Sequence, residues 1–235
     1  VAVYLGAADG VGHAPVFSAT GRSGSHFGRV VGSAGDVNGD GYDDVLIAAP
    51  GDDSLYVYHG TAEGLGSDAD WRATVNVADG DQNYVGPAGD VNGDRYGDLL
   101  VGTEGAGINQ RGRVDVYYGS ASGLSDTPDA TIEGEHEGDR FGSAVGTAGD
   151  LNDDRYDDVI IGAEGFDANT GKAYVYLGGP GGLVKIPQWT DSGGGPETCM
   201  GRSVGAAGDV NGDGYRDVVL SSGCGSSGGQ VLVYH

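Results

Sequence analysis

One arrangement of oxygen-bearing residues occurs four times along this 235-residue chain, always as Asp-x-Asn-x-Asp-x-Tyr-x-Asp. The copies are Asp36, Asn38, Asp40, Tyr42, Asp44; Asp90, Asn92, Asp94, Tyr96, Asp98; Asp150, Asn152, Asp154, Tyr156, Asp158; and Asp209, Asn211, Asp213, Tyr215, Asp217. Side-chain oxygens fall at positions 1, 3, 5 and 9, and the tyrosine at position 7 offers its backbone carbonyl. Alternate residues of a tight loop can turn toward one point, and carboxylate, amide and carbonyl oxygens are the donors that Ca²⁺ takes. The expected cofactor is therefore Ca²⁺, up to four ions, one per loop. An Asx-rich turn that needs no metal is the alternative. Against it, three carboxylates so close together repel unless a cation or protons compensate. An EF-hand does not fit, because it needs flanking helices and a Glu at position 12. Position 12 is here Ile47, Val101, Ile161 and Leu220, inside apolar runs.

The four loops are not equivalent. Position 6 is Gly41 and Gly214 in loops 1 and 4 but Arg95 and Arg155 in loops 2 and 3. If that position needs a positive φ, Arg is strained there by about 1 kcal/mol and adds a positive charge near the ion. Asp153 at position 4 of loop 3 offsets part of that charge. Loops 1 and 4 are expected to bind more tightly than loop 2.

Charge and composition agree with this chemistry. Twelve basic and 35 acidic residues leave a net charge of −23, and 28 of the acids are Asp. Such a field repels nucleic acid and anionic membranes and attracts cations. Twelve of the acids are loop candidates, and four Ca²⁺ would bring −23 to −15. General solubilisation by surface acids would use both Asp and Glu, so it explains the bias less well. The apolar blocks run about five or six residues, well short of the ~20 that a membrane-spanning helix needs.

Those loops must be held by elements that also repeat. The leading aspartates are spaced 54, 60 and 59 residues apart, and a second block, V-x-V-Y, recurs around Val3, Val57, Val116, Val175 and Val233. Each period reads as four short strands. A Gly-rich strand ends at the Asp loop. A near-continuous apolar run such as "DVLIAA" suits a strand buried on both faces. An alternating run such as "LYVYHG" is rich in Val and Tyr, which favour strands. The fourth segment carries Phe17, Trp71, Ile132 or Trp189. Four-stranded repeats of this length are the signature of propeller blades. The 49 glycines and the absence of any 3.6-residue period argue against long helices. The fold class is all-β, a β-propeller of four-stranded antiparallel blades forming one domain over residues 1–235. Repeat cores are expected at about 27–60, 81–119, 141–178 and 200–235.

The run "FGRVVGSAGDVNGDGYDDVLIAAPG" from Phe27 resembles the FG-GAP repeat of the integrin α-subunit β-propeller. Phe27-Gly28 and Ala49-Pro50 stand where the FG and GAP elements fall. The resemblance implies calcium in the hairpin between strands 1 and 2 of each blade and ligand contacts on the opposite face. Departures are Asp81-Gln82 and Met200-Gly201 in place of Phe-Gly, and four repeats where integrin propellers have seven blades. Residues 1–21 are expected to close a four-bladed ring, with the strand around Phe17 completing the last blade. "VAVYLG" is then left over as a fifth copy of strand 3. A monomer is favoured, with a strand-sharing dimer as the alternative. In such blades Cys199 and Cys224 lie on the face away from the Asp hairpin. They are read as a disulfide, against two free thiols.

Other candidates carry less. "GRSVG" from Gly201 has nucleophile-elbow spacing, but Ser203 falls within a strand rather than at a strand-to-helix turn. The five histidines show no metal or triad spacing, and no catalytic residue is assigned. The expected function is an extracellular, secreted or cell-surface recognition and adhesion module, not an enzyme. Its ligand, a protein or a glycan, would sit on the least uniform loops, 104–112, 134–140, 164–171 and 193–199, opposite the calcium loops. Partners exclude nucleic acid and membrane insertion. A non-catalytic module of a larger secreted hydrolase and a stand-alone lectin are the alternatives.

Overall fold

The computed structural model describes every residue except 8–9, 76–82 and 225–227. The Asp81-Gln82 departure lies outside the described residues. The N-terminal segment forms four two-residue strands: β1 (Ala2–Val3), β2 (Gly6–Ala7), β3 (Gly10–Val11) and β4 (Phe17–Ser18). Three four-stranded blades follow. Blade 1 holds β5 (Val30–Gly35), β6 (Asp44–Ala49), β7 (Ser54–Tyr58) and β8 (Trp71–Thr74). Blade 2 holds β9 (Asn83–Gly89), β10 (Asp98–Thr103), β11 (Arg113–Tyr117) and β12 (Ala130–Glu133). Blade 3 holds β13 (Phe141–Gly149), β14 (Asp158–Ala163), β15 (Lys172–Tyr176) and β16 (Trp189–Ser192). Blade 4 has three strands, β17 (Val204–Gly208), β18 (Asp217–Ser222) and β19 (Gln230–Tyr234). Every pairing within a blade is antiparallel and between sequence neighbours. The chain is an all-β array of propeller blades.

The apolar runs follow from how blades stack. Leu46 and Ala48 on β6 face blade 2, where Leu99 and Val101 meet them in one buried cluster. Ile47, between them, faces the other way and joins Phe17 and Tyr58. Blade 2 repeats the division. Leu100 packs with Val159 and Ile161 of blade 3, while Ile160 turns to Val218 and Leu220 of blade 4. The central strand is therefore apolar at successive positions because both its faces are covered. Each such side chain contributes about 1.5–3 kcal/mol on burial.

The ring closure expected from the sequence is not formed. β4 pairs with β1, through Ala2↔Ser18 and Val3↔Phe17, and not with β19. The redundant strand "VAVYLG" is the physical reason. It is itself a copy of strand 3, lies next to β4 in sequence, and takes that strand at a small loop-closure cost. The β1–β4 pair stands as a half blade against blade 1, with Phe17 edge-on to Tyr58 at 5.1 Å. Blade 4 keeps its three strands, and Val231 on β19 is 72% exposed. Among the described residues no helix is long and apolar enough to cross a membrane.

Candidate metal centres and the opposite loop face

A bulge aims each Asp loop. Where the first strand of a blade meets the second, the register slips by one residue, between Ser33 and Gly35, Asp98 and Leu99, Thr147 and Gly149, and Ala206 and Gly208. Gly35, Gly89, Gly149 and Gly208 sit there at φ of 71–82°, a left-handed conformation that only glycine takes freely. The chain then enters the loop, and all four loops lie at one end of the blades, in the strand 1–2 hairpins predicted from sequence.

Within a loop the side chains hold the backbone. In loop 1, Asp36 Oδ1 accepts from the Gly39 and Asp40 N–H groups at 2.7 and 3.0 Å, and its Oδ2 accepts from Gly41 N–H at 2.9 Å. Asn38 Oδ1 accepts from Asp40 N–H, and Asp40 Oδ1 from Tyr42 N–H. Loops 2 and 4 repeat the whole set. Position 6 does take a positive φ: 91° and 96° at Gly41 and Gly214, and 75° at both Arg95 and Arg155.

Position 9 does a job that the sequence alone does not reveal. Asp44, Asp98 and Asp158 are fully buried. One carboxylate oxygen accepts from the position-2 N–H, of Val37, Val91 or Leu151. The other accepts from Gly60, Gly119 or Gly178, just past the third strand, at 2.8–2.9 Å. Asp217 keeps the first bond, to Val210, while its buried Oδ1 has no partner among the described residues, and His235 Nδ1 lies 3.3 Å from Oδ2. Burial pushes the Asp98 carboxyl up to about 7 and Asp158 to about 6, with the charges at positions 1 and 5 adding to the rise and the two backbone bonds opposing it. Asp44 is raised for the same leading reason.

The tyrosines also do more than lend a carbonyl. The Tyr96 ring packs over Gly39 of the preceding loop, and Tyr156 over Gly93, so closely that a Cβ at either glycine would collide with the ring. Where loop 3 has Asp153 instead, Tyr215 is 53% exposed. Backbone bonds cross the same seams: Gly97 N–H to Asp36 O at 2.7 Å, and Asp157 N–H to Asp90 O at 2.9 Å. Loops 1 and 2 are thereby fastened to the next blade.

The donor set suits a hard cation. Every candidate ligand is an oxygen, and the charges at positions 1 and 5 lie close enough to the position-9 carboxyl to help raise its pKa in loops 2 and 3. As the loops stand, those oxygens turn to backbone N–H groups. Among the described residues no three His, Cys, Asp or Glu side chains converge as a metal cluster would.

At the other end of the blades the four variable loops are stitched together. Gly138 N–H donates to Gln110 O, Gly165 N–H to Asp139 O, and Cys199 N–H to Asn169 O at 2.8 Å. Arg140 reaches Glu164 at 3.1 Å, Arg202 approaches the same carboxylate at 3.7 Å, and Lys172 Nζ meets Glu135 Oε1 at 2.7 Å. Among the described residues, thirteen non-glycines have positive φ. Three are in the Asp loops and ten are on this face, including Asn109, Gln110, Arg140 and Asn169. Such strained backbone concentrates at functional surfaces. Cys199 and Cys224 form a disulfide here, with Cα atoms 5.6 Å apart. Ser203 lies one residue before β17 rather than within it as expected, and its carbonyl accepts from Ser221 N–H; the strand that follows it is not the helix a nucleophile elbow needs.

Comparison with known proteins gives the same picture. Residues 27–66 match the FG-GAP repeat, and residues 150–220 match the FG-GAP-like repeat. Integrin alpha-5 of Xenopus laevis is 30% identical over 217 residues, covering 84% of this chain and 20% of its own length. Integrin alpha-8 of Homo sapiens is 31% identical over 172 residues, 66% of this chain and 16% of its own. Integrin alpha-PS2 of Drosophila melanogaster is 34% identical over 180 residues, 66% of this chain and 12% of its own. The chain thus spans a fifth or less of the length of these relatives. Repeats, blades and relatives together make this chain an integrin-α-like FG-GAP repeat domain.

Proposed function

We propose that this domain is an extracellular, calcium-stabilised recognition module and not an enzyme. The observation that carries the reading is the fourfold Asp loop set at the blade seams. Cations there would neutralise the facing carboxylates of each hairpin. Asp36, Asn38, Asp40 and the Tyr42 carbonyl, with their counterparts in the other loops, are the residues that would hold Ca²⁺. Asp44, Asp98, Asp158 and Asp217 would complete the set from below. The ion would supply charge neutralisation and hold the two ends of each hairpin loop together. Binding to the folded state alone raises stability by ligand linkage.

Similarity to integrin α subunits supports a protein ligand; our placing of that ligand, or of a glycan, along 104–112, 134–140, 164–171 and 193–199 rests on the variable loops and strained backbone of the opposite face. It also supports a secreted or cell-surface location, in keeping with the Cys199–Cys224 bridge. Titration calorimetry with Ca²⁺, run beside thermal melting in calcium and in chelator, tests the metal reading. Saturable binding that is lost when Asp36, Asp90, Asp150 and Asp209 are changed to Ala is expected. An unchanged melting midpoint in chelator would overturn it. For the ligand, a glycan array and a panel of purified extracellular proteins are the probes, read against Arg140→Ser and Asn109→Asp. Binding insensitive to both variants would remove the proposed face.

A further inference from the structure

We propose that Asn38, Asn92 and Asn211 are self-deamidation sites, each losing its side-chain amide by ring closure with the glycine that follows. The chain holds eight asparagines, and the three followed by glycine are these, all at position 3 of an Asp loop. The loop itself favours glycine at position 4, because Gly39, Gly93 and Gly212 take φ of 71–77°. Lacking a side chain, the glycine also leaves its nitrogen open to attack the neighbouring amide carbon. The loop sets three groups around that reaction. Asp36 Oδ1 accepts from the attacking Gly39 N–H at 2.7 Å, placed to take its proton. Asp40 N–H donates to Asn38 Oδ1 at 3.0 Å, where negative charge develops as the carbonyl is attacked. Asp40 Oδ2 accepts from Asn38 Nδ2, the leaving nitrogen, at 3.0 Å. Loop 2 repeats these contacts at 2.7, 3.0 and 2.9 Å. Loop 4 repeats them at 2.6, 2.8 and 2.9 Å.

Loop 3 is the internal contrast. Asp153 follows Asn152, so a side chain stands beside the attacking nitrogen. Asn152 keeps both bonds to Asp154, at 3.2 and 2.8 Å. Among the described residues, Asp150 accepts from the Asp154 and Arg155 N–H groups but not from Asp153. In the three reactive loops the glycine nitrogen bonds to the asparagine Cγ as its proton passes to the position-1 carboxylate. The Cγ–Nδ2 bond then breaks, and that proton leaves with the nitrogen as ammonia. Water opens the succinimide at either carbonyl, giving aspartate or isoaspartate. Position 3 thereby gains a carboxylate, and isoaspartate also adds a methylene to the backbone between the donors. The chemistry stands on the loop geometry alone; its effect on cation binding rests on the proposed calcium role.

The test incubates the 235-residue chain in chelator at neutral pH and reads each loop by peptide-mapping mass spectrometry, with isoaspartate counted by enzymatic methylation. Conversion at Asn38, Asn92 and Asn211 at least tenfold faster than at Asn152 is expected. Asp36→Asn keeps an acceptor and removes the base. It should slow Asn38 severalfold while Asn92 and Asn211, standards in the same molecule, keep their rates. Where that variant unfolds, the standards shift too, and Asp153→Gly decides instead by raising the Asn152 rate at least tenfold. Intact asparagine in every loop, an Asn152 rate equal to the others, or an Asn38 rate unmoved by Asp36→Asn overturns the proposal. Calcium should slow all three sites, since its ligation would take the same oxygens. Equal conversion with and without calcium supports the sites and counts against the calcium role, so the two readings fail separately.

Discussion

Arg95→Gly isolates the strain and charge that distinguish loop 2 from loop 1. Arg95 sits at φ 75° where Gly41 sits at 91°, and a side chain in that region costs about 1–2 kcal/mol. Glycine returns roughly 0.5–1 kcal/mol of that through the greater freedom of the unfolded chain. The substitution keeps the hydrogen bond at this position, because Arg95 N–H to Asp90 Oδ2 at 2.8 Å is matched by Gly41 N–H to Asp36 Oδ2 at 2.9 Å. A net gain of about 0.5–1 kcal/mol is expected in chelator, worth about 1–4 °C for a chain of this size. Removing an exposed positive charge about 8 Å from a divalent ion is worth about 1 kcal/mol in water before salt screening. Calcium affinity at loop 2 should therefore rise by roughly two- to fivefold at low salt. Urea unfolding in chelator and calorimetric titration read the two effects separately. Gly41→Arg should show both with opposite sign, and Arg95→Lys should show neither. A loss of stability in Arg95→Gly, or an unchanged affinity, would refute the reasoning.

Acidification should weaken calcium binding as pH falls through about 7 at loop 2 and about 6 at loop 3, where protons compete for Asp98 and Asp158. In chelator these two groups act in the other direction. Their folded pKa values lie above the unfolded one, so the folded form holds protons more tightly and their contribution to stability falls as pH rises from about 4 to 7; melting at stepped pH, with Asp98→Asn as reference, measures it. Replacing Cys199 and Cys224 by Ser should cost about 3–4 kcal/mol on the chain-entropy view of a 25-residue loop, read by denaturant unfolding with intact mass confirming the parent bridge. Leu100→Ala, at a fully buried position between blades 2 and 3, should cost about 2–5 kcal/mol; a cost under 1 kcal/mol would mean that the blades do not stack as described.

The sequence by itself determined the repeat, the blade and the Asp hairpin. Those features are local: a strand buried on both faces must be apolar throughout, and "DVLIAA" is. A tight oxygen-rich loop must space its donors by two, and all four loops do. The Gly-or-Arg split at position 6 was likewise legible, since backbone conformation restricts residue type directly; the glycine at each bulge was not read there. What only the tertiary structure decided involves partners far apart in sequence. In sequence Asp98 reads only as a metal ligand, and its bond to Gly119, 21 residues away, is not visible there. Tyr96 reads as a carbonyl donor until its ring is found over Gly39 of another blade. Closure was expected on β19 and formed on β1 instead, because β1 and β19 are copies of one strand and both suit β4. The nearer strand took it, because it closes a far shorter loop than β19 could.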